Sequence, residues 1–358
     1  MVRTRPTATK KRHGRPCRLV CQDARLVGMI ESFGVTASGR EVYRVTLQDG
    51  PLSARVITFG GALQDVRLEG LQHSLTVGSP DISAYEGPFA HCGTIMGPVA
   101  NRIAGARATI DGTEYRLEKN FLNAHTLHGG GGAFHTRVWE LVDHSERHAT
   151  LVLLAADGEG GFPGTRRVEA RFEISDRTLS LTLTARTDAP TILNLANHSY
   201  WNLGEAPTTG GHVLQIHADR YLPSDPVTTI PTGEISDVAG TRFDYRGGRA
   251  LNDGVDGLLD TNFCLSDARR PLTEVARLTG PDVTMAMAST EPGLQAFDGH
   301  ILACPDQRTN DGAAPVPYCG FALEAQFWPN APHEPGFPDI TLRPDQDWRQ
   351  VTTWTFET

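Results

Sequence analysis

Apolar and polar residues alternate along several short stretches of this 358-residue chain. Leu179-Ser-Leu-Thr-Leu-Thr184 sets apolar and hydroxyl side chains in strict turn, and Val283-Thr-Met-Ala-Met-Ala288 does much the same. A period of two puts one face on a core and the other toward solvent or a second layer, so both are predicted strands. Thr150-Leu-Val-Leu-Leu-Ala155 and Ala54-Arg-Val-Ile-Thr-Phe59 read as more fully buried strands. No stretch sustains the 3.6-residue period of an amphipathic helix. The 37 glycines and 23 prolines cut the chain into short segments, as turns between many strands would. The pattern predicts an all-β fold, a large antiparallel sandwich.

No repeat of solenoid or propeller period appears, and no linker divides the middle of the chain. Residues 29–358 are therefore expected to form one domain. Residues 1–28 differ: they are basic and lack the apolar core of a secretory signal. They read as a disordered extension, or as sequence ahead of a natural start at Met29. An Arg-rich, acid-poor tail also fits a transit-like or polyanion-binding segment. The net charge of -9 argues against a dedicated nucleic-acid binder, which needs a basic face. No apolar run reaches membrane-spanning length. Cys17, Cys21, Cys92, Cys264, Cys304 and Cys319 are scattered without a C-x-x-C pair. Free thiols in a reducing cytoplasm are expected, and the Cys17–Cys21 spacing lacks a second pair that would complete a metal clip.

Five segments carry candidate chemistry. In Gly97-Pro-Val-Ala-Asn-Arg-Ile103, Arg102 sits among apolar residues, where a charge needs a partner. That partner is either a structural anion or sugar hydroxyls, with Asn101 alongside. Asn123-Ala-His-Thr-Leu-His-Gly-Gly-Gly-Gly132 lacks the Lys-Ser or Lys-Thr of a phosphate loop, and the chain has no G-x-S-x-G elbow. His125 and His128 could chelate a metal, His128 could face a ligand, or the segment could be a tight turn beside a packed His. Asn194-Leu-Ala-Asn-His-Ser-Tyr-Trp-Asn-Leu203 mixes hydrogen-bonding groups with flat rings, as carbohydrate sites do; a capped turn around a satisfied His198 explains it equally. Asp260, between apolar residues, either caps a turn or accepts from ligand hydroxyls. Glu324 lies in Phe321-Ala-Leu-Glu-Ala-Gln-Phe-Trp-Pro329, a costly place for a carboxylate that is neither paired nor functional. Burial there would raise its pKa toward a value useful to a base near neutral pH.

Taken in order, these blocks resemble the aldose 1-epimerase (galactose mutarotase) family. Phe33-Gly34, Phe59-Gly-Gly-Ala-Leu63, Ala100-Asn-Arg-Ile103, Leu127-His-Gly-Gly130, Asn197-His-Ser-Tyr200 and Leu323-Glu-Ala-Gln326 match its pattern from Phe33 onward. So do Phe337-Pro338 and Leu342-Arg-Pro344. The resemblance implies a mutarotase-like supersandwich with an open cleft and no metal or organic cofactor. It implies Glu324 as catalytic base and His198 as catalytic acid, with His128 a second active-site His. Asn101, Arg102, Asp260 and Gln295 look like its sugar-binding positions. Pro98 replaces a usual Arg, Thr261 a usual His, and Pro344-Asp-Gln346 a usual Pro-Gly-Glu. The first two are expected to alter the wall of the sugar site.

The activity so implied interconverts the α and β anomers of a free aldose. The anomeric hydroxyl loses a proton, the ring oxygen gains one, the ring opens, and C1 turns before reclosure. A protonated His198 beside an ionised Glu324 would keep both poised. The expected partner is a free monosaccharide, with no nucleic acid and no membrane, bound by a cytoplasmic monomer or homodimer. Three alternatives compete: a non-catalytic carbohydrate-binding or sensing protein on the same fold, a hexose-6-phosphate epimerase, and a cupin-type metalloenzyme. The phosphate reading needs a basic cluster, which Pro98 makes less available.

Overall fold

Strand pairing, with almost no helix, builds residues 29–358, which the computed structural model describes. The expectations for residues 1–28, Cys17 and Cys21 included, lie outside the described residues. Within them the one α-helix is the single turn Ile82–Tyr85, capped by the Asp81 side chain, which accepts from the Ser83 N–H at 2.9 Å. The expected absence of amphipathic helices follows from the strand periods.

The largest sheet has nine strands. Its centre runs His148–Ala155, Arg166–Ser175, Thr178–Thr187, Trp348–Glu357 and Thr284–Ser289, each antiparallel to the next. A six-stranded antiparallel sheet orders Tyr200–Trp201, Phe321–Gln326, Gly293–Phe297, Asp260–Cys264, Arg220–Tyr221 and Ser236–Asp237. A four-stranded meander, Ile30–Val35 to Ala62–Leu68, stands at the start of the described residues.

One core joins all three. Leu151, Phe172, Leu181 and Met287 enter it from the large sheet, Phe263, Leu294 and Leu323 from the six-stranded one, and Val45 and Leu63 from the meander. Trp354 and Trp201 meet across it with ring centroids 5.5 Å apart. Each such side chain contributes on the order of 2 kcal/mol by leaving water. The expected antiparallel sandwich is thus the observed architecture.

Leu179 to Thr184 behaves as its alternation demands: Leu179, Leu181 and Leu183 are buried and the hydroxyl residues between them are half-buried. The segment 150–155 departs from its reading. Leu154 is 61% exposed, because this strand also has an outer face that happens to carry an apolar residue. Cys92, Cys264, Cys304 and Cys319 are all free thiols. No helix among the described residues is long and apolar enough to cross a membrane.

Candidate active site

The strand Phe321–Gln326 is buried along its whole length, yet its two faces differ. Phe321, Leu323 and Ala325 enter the main core. The alternate face carries Glu324, and the register extends that face across the sheet. Glu324 lies opposite Gln295, which lies opposite Asn262; two residues along, Ala322 lies opposite Phe297, which lies opposite Asp260. One sheet face therefore gathers a carboxylic acid, a carboxamide pair, an aromatic ring and Asp260. Above it opens a cleft of about 790 Å³, within the range of small-molecule sites.

His198 reaches this cleft from the short connection between Ala196–Asn197 and Tyr200–Trp201. Its N–H donates to the Thr94 carbonyl at 3.0 Å, and its carbonyl accepts from the Gly93 N–H at 3.0 Å. Asn197 clamps the bend: its amide donates to the Gly93 carbonyl at 2.7 Å and its Oδ1 accepts from the Ser199 hydroxyl at 2.6 Å. That is the physical content of the Asn-His-Ser run. The bend places His198 Nε2 3.4 Å from Glu324 Oε1. Both residues are almost fully buried, at 4% and 1% exposed.

Asn101, Arg102 and His128 also line the cleft. The Asn101 N–H donates to His128 Nδ1 at 3.1 Å, and the His128 N–H returns a bond to the Asn101 carbonyl at 2.9 Å. Gly129 makes the crossing possible. It takes φ +91°, and a Cβ there would stand 2.3 Å from the Gly97 carbonyl oxygen. Asn101 Oδ1 accepts from the Arg102 backbone N–H at 2.9 Å and from its Nη1 at 3.3 Å. The guanidinium lies 4.8 Å from the Phe121 ring centroid and 3.6 Å from Asp260 Oδ2. Asp260 in turn accepts from the Gln295 amide.

Six of the seven predicted site residues line one cleft: Asn101, Arg102, His128, His198, Asp260 and Glu324. Gln295 does not line it and stands behind Asp260, which it holds. Thr261 lines the cleft as expected, whereas Pro98 is buried behind it. His91, Phe121, Phe297 and His300 also line it and carried no readable signal; His91 lies in a segment without any pattern.

Burial dominates the electrostatics. It pushes Glu324 well above the usual carboxylate range, with Asp260 adding to the rise and Arg102 opposing it. It pushes His198 well below 6.5, with His91 next among the causes. His128 is lowered in the same way, and His91 falls to about 4. The geometry of an ion pair between His198 and Glu324 is thus present, but the dry site favours the uncharged form of each. Both directions run against the imidazolium–carboxylate state expected from the sequence. Desolvation is the largest cause of both shifts.

One ring nitrogen each of His91, His128 and His198 lies within 4.8 Å of the others, a spacing that could suggest a metal. His128 speaks against it. Its Nδ1 accepts from Asn101, so the neutral ring carries its proton on Nε2 and offers the cleft a donor, not a lone pair. The suggested His125–His128 chelate does not form either, because His125 Nδ1 accepts from the Gly105 N–H at 3.1 Å.

Fold and site together define a class: an antiparallel β-sandwich whose open cleft holds a buried His–Glu pair beside Asn, Arg, Asp and His side chains. A family model described as aldose 1-epimerase matches residues 43–355. The chain is 32% identical to the galactose mutarotase of Sus scrofa over 337 residues, covering 90% of this chain and 97% of that protein. It is 32% identical to the aldose 1-epimerase of Escherichia coli over 345 residues, covering 91% and 98%. The crystal structure of an aldose epimerase homologue from C. elegans superposes with a TM-score of 0.80 at 29% identity, covering 88% of this chain and 98% of that one. That of galactose 1-epimerase from Lactobacillus acidophilus does so with 0.78 at 25% identity, covering 92% and 98%. The chain belongs to the aldose 1-epimerase family.

Proposed function

We propose that the protein interconverts the α and β anomers of a free aldose, with His198 and Glu324 as the proton-carrying pair. The observation that carries this reading is the 3.4 Å approach of His198 Nε2 to Glu324 Oε1 inside the cleft. The anomeric hydroxyl and the ring oxygen share one carbon, so two proton carriers this close can serve both. In ring opening Glu324 takes the hydroxyl proton and His198 gives one to the ring oxygen. The pair then holds protonated Glu324 and neutral His198. From that state it closes the ring on either face of the aldehyde by returning the proton to the carbonyl oxygen and removing one from the attacking hydroxyl. The state that burial favours is therefore the ring-closing half of one cycle.

Arg102, Asp260, Asn101 and the Nε2–H of His128 supply donors and acceptors for the other hydroxyls, and Gln295 positions Asp260. The cleft favours an uncharged sugar over a phosphorylated one. Arg102 is engaged by Asp260 and Asn101, and Arg242 donates to the Leu258 carbonyl at 2.8 Å. A phosphate dianion would have to draw one of these guanidiniums away from its partners. We read residues 29–358 as one unit that acts on this sugar in the cytoplasm, as a monomer or homodimer; the free thiols fit that compartment.

Anomer interconversion followed by polarimetry or NMR exchange, over a panel of free sugars, tests the reading with Glu324→Gln as control. Acceleration that the variant loses is expected. No acceleration on any sugar would instead favour a carbohydrate-binding protein on this fold.

A further inference from the structure

His198 is held in an unusual way. Its Nδ1 is buried, and no other described residue hydrogen-bonds it; what it meets is the residue's own backbone. An imidazole that moves protons through Nε2 is ordinarily aimed by a neighbour's bond at its other nitrogen, and here no other described residue supplies one. Rings flank it instead. Tyr200 lies 4.9 Å from it, tilted by 38°, and His91 lies 5.6 Å from it, stacked within 27°.

We infer that His91 is a positioning residue, which fixes the plane of the His198 ring by stacking in place of an Nδ1 bond from another residue. This rests on the proposed role of His198, although the geometry does not.

His91 is itself firmly placed. The Gly93 N–H and the Thr94 carbonyl bond directly to the backbone of His198, and the Thr94 hydroxyl donates to the Ala90 carbonyl at 2.8 Å. The segment that carries His91 is thus stitched to the one that carries His198. Its ring is wedged between two further imidazoles, 5.0 Å from His128 and 5.1 Å from His135. Among the described residues no hydrogen bond engages the His91 side chain, so its contribution is that of a flat face. Burial and then Arg102 lower it to about 4, so it meets His198 as an uncharged ring. Neutral aromatic rings at such separations attract one another in offset or tilted arrangements, which restricts rotation without adding a charge.

The test compares His91→Ala with His91→Phe, which keeps a flat ring and removes both nitrogens. His91→Ala should lower kcat by roughly 10- to 100-fold, the scale of a small misplacement of a reacting group, and leave KM within about two-fold. His91→Phe should restore most of kcat. Equal losses in the two variants, or a raised KM in both, would overturn the inference and make His91 a sugar contact. A second readout needs no activity. The ¹⁵N shifts of the His198 ring in the full chain should report a mixed or altered tautomer in His91→Ala and the wild-type one in His91→Phe. Unchanged shifts in His91→Ala would also overturn it. A wild-type protein without mutarotation would instead count against the proposed function, and the ¹⁵N comparison would still judge the stacking.

Discussion

Removing either member of the His198–Glu324 pair should cost about as much as removing both. At 3.4 Å the charge-separated state of the pair is held together by about 5 kcal/mol, taking the effective dielectric constant near 20 suited to protein sites. Positioned acid–base catalysis is worth roughly 10²- to 10⁴-fold, or about 3 to 5 kcal/mol, so the two scales agree. Glu324→Gln and His198→Asn should each lower turnover by at least ~100-fold. The double variant should fall little further, because Glu324 takes a proton from the sugar as His198 gives one to it, and either loss stops the cycle. Saturation-transfer NMR on the sugar that proves the best substrate measures all four proteins, with uncatalysed exchange subtracted. Losses that add on a logarithmic scale would show two independent contributions, and near-normal turnover in either single variant would remove that residue from the chemistry.

Arg102→Ala should raise KM and lower the rate together, by roughly 10- to 100-fold in kcat/KM, the scale of a lost charge-assisted hydrogen bond; an unchanged KM in steady-state assays would count against a sugar contact. Glu324→Gln should be more thermally stable than wild type even as it loses activity. The folded protein keeps the Glu324 proton past the ordinary value of 4.5 while the unfolded chain releases it, so wild-type stability falls as pH rises above 4.5. The gap in melting temperature should therefore widen from pH 4.5 upward, and a constant gap would contradict a raised pKa. His135 gives the opposite sign: burial, with His91 next, lowers it to about 3, so its contribution is complete above 6.5 and is lost as pH falls from 6.5 toward 3. The slope is about 1.4 kcal/mol per pH unit, or about 2 kcal/mol at pH 5. Urea unfolding of wild type and His135→Gln across this range should show that difference.

The alternation at Leu179–Thr184 was legible because one face is fully apolar and the other carries hydroxyls. At Phe321–Gln326 the same period was present but hidden. Both faces are buried, one by the core and one by the cleft wall, so Glu324 looked like a lone carboxylate in an apolar run. Only the register with Gln295 and Asp260 shows that it belongs to a polar face. Leu154 erred the other way, an apolar residue on an outer face. Arg102, His128 and His198 were readable as blocks because each sits in a local device: the Asn101 bonds, the Gly129 crossing and the Asn197 clamp. His91 lies in a turn held by the Thr94 hydroxyl on the Ala90 carbonyl, but nothing in that segment marks it for the cleft, and its place there follows from its contacts with His128, His135 and His198. Pro98 was expected to alter the wall because it stands where the resembled family has an Arg, yet it is buried and does not line the cleft. Protonation was the least legible feature, since it depends on how dry the cleft is.

That protonation yields an ordering that can be measured. In water a carboxylic acid loses its proton near 4.5 and an imidazolium near 6.5, so a pair holding one proton between these values is charge-separated. Burial opposes every added charge. It resists protonating the neutral imidazole, which lowers His198, and resists ionising the neutral acid, which raises Glu324. Carried far enough, these two shifts make the one-proton state neutral at both ends and invert the order of the two titrations, which is the expected outcome. Because the groups are coupled, the two apparent values belong to the pair, and the direct observable is which atom changes at each step. With the Glu324 carboxyl labelled with ¹³C and the His198 ring with ¹⁵N, the ring should titrate at the lower pH and the carboxyl at the higher. The sugar-free protein should show this order, since ligand hydroxyls that solvate the pair would shift it back toward the charged form. A ring that titrates above the carboxyl in the sugar-free protein would mean that attraction across the pair exceeds its desolvation, and the resting state would be the imidazolium–carboxylate.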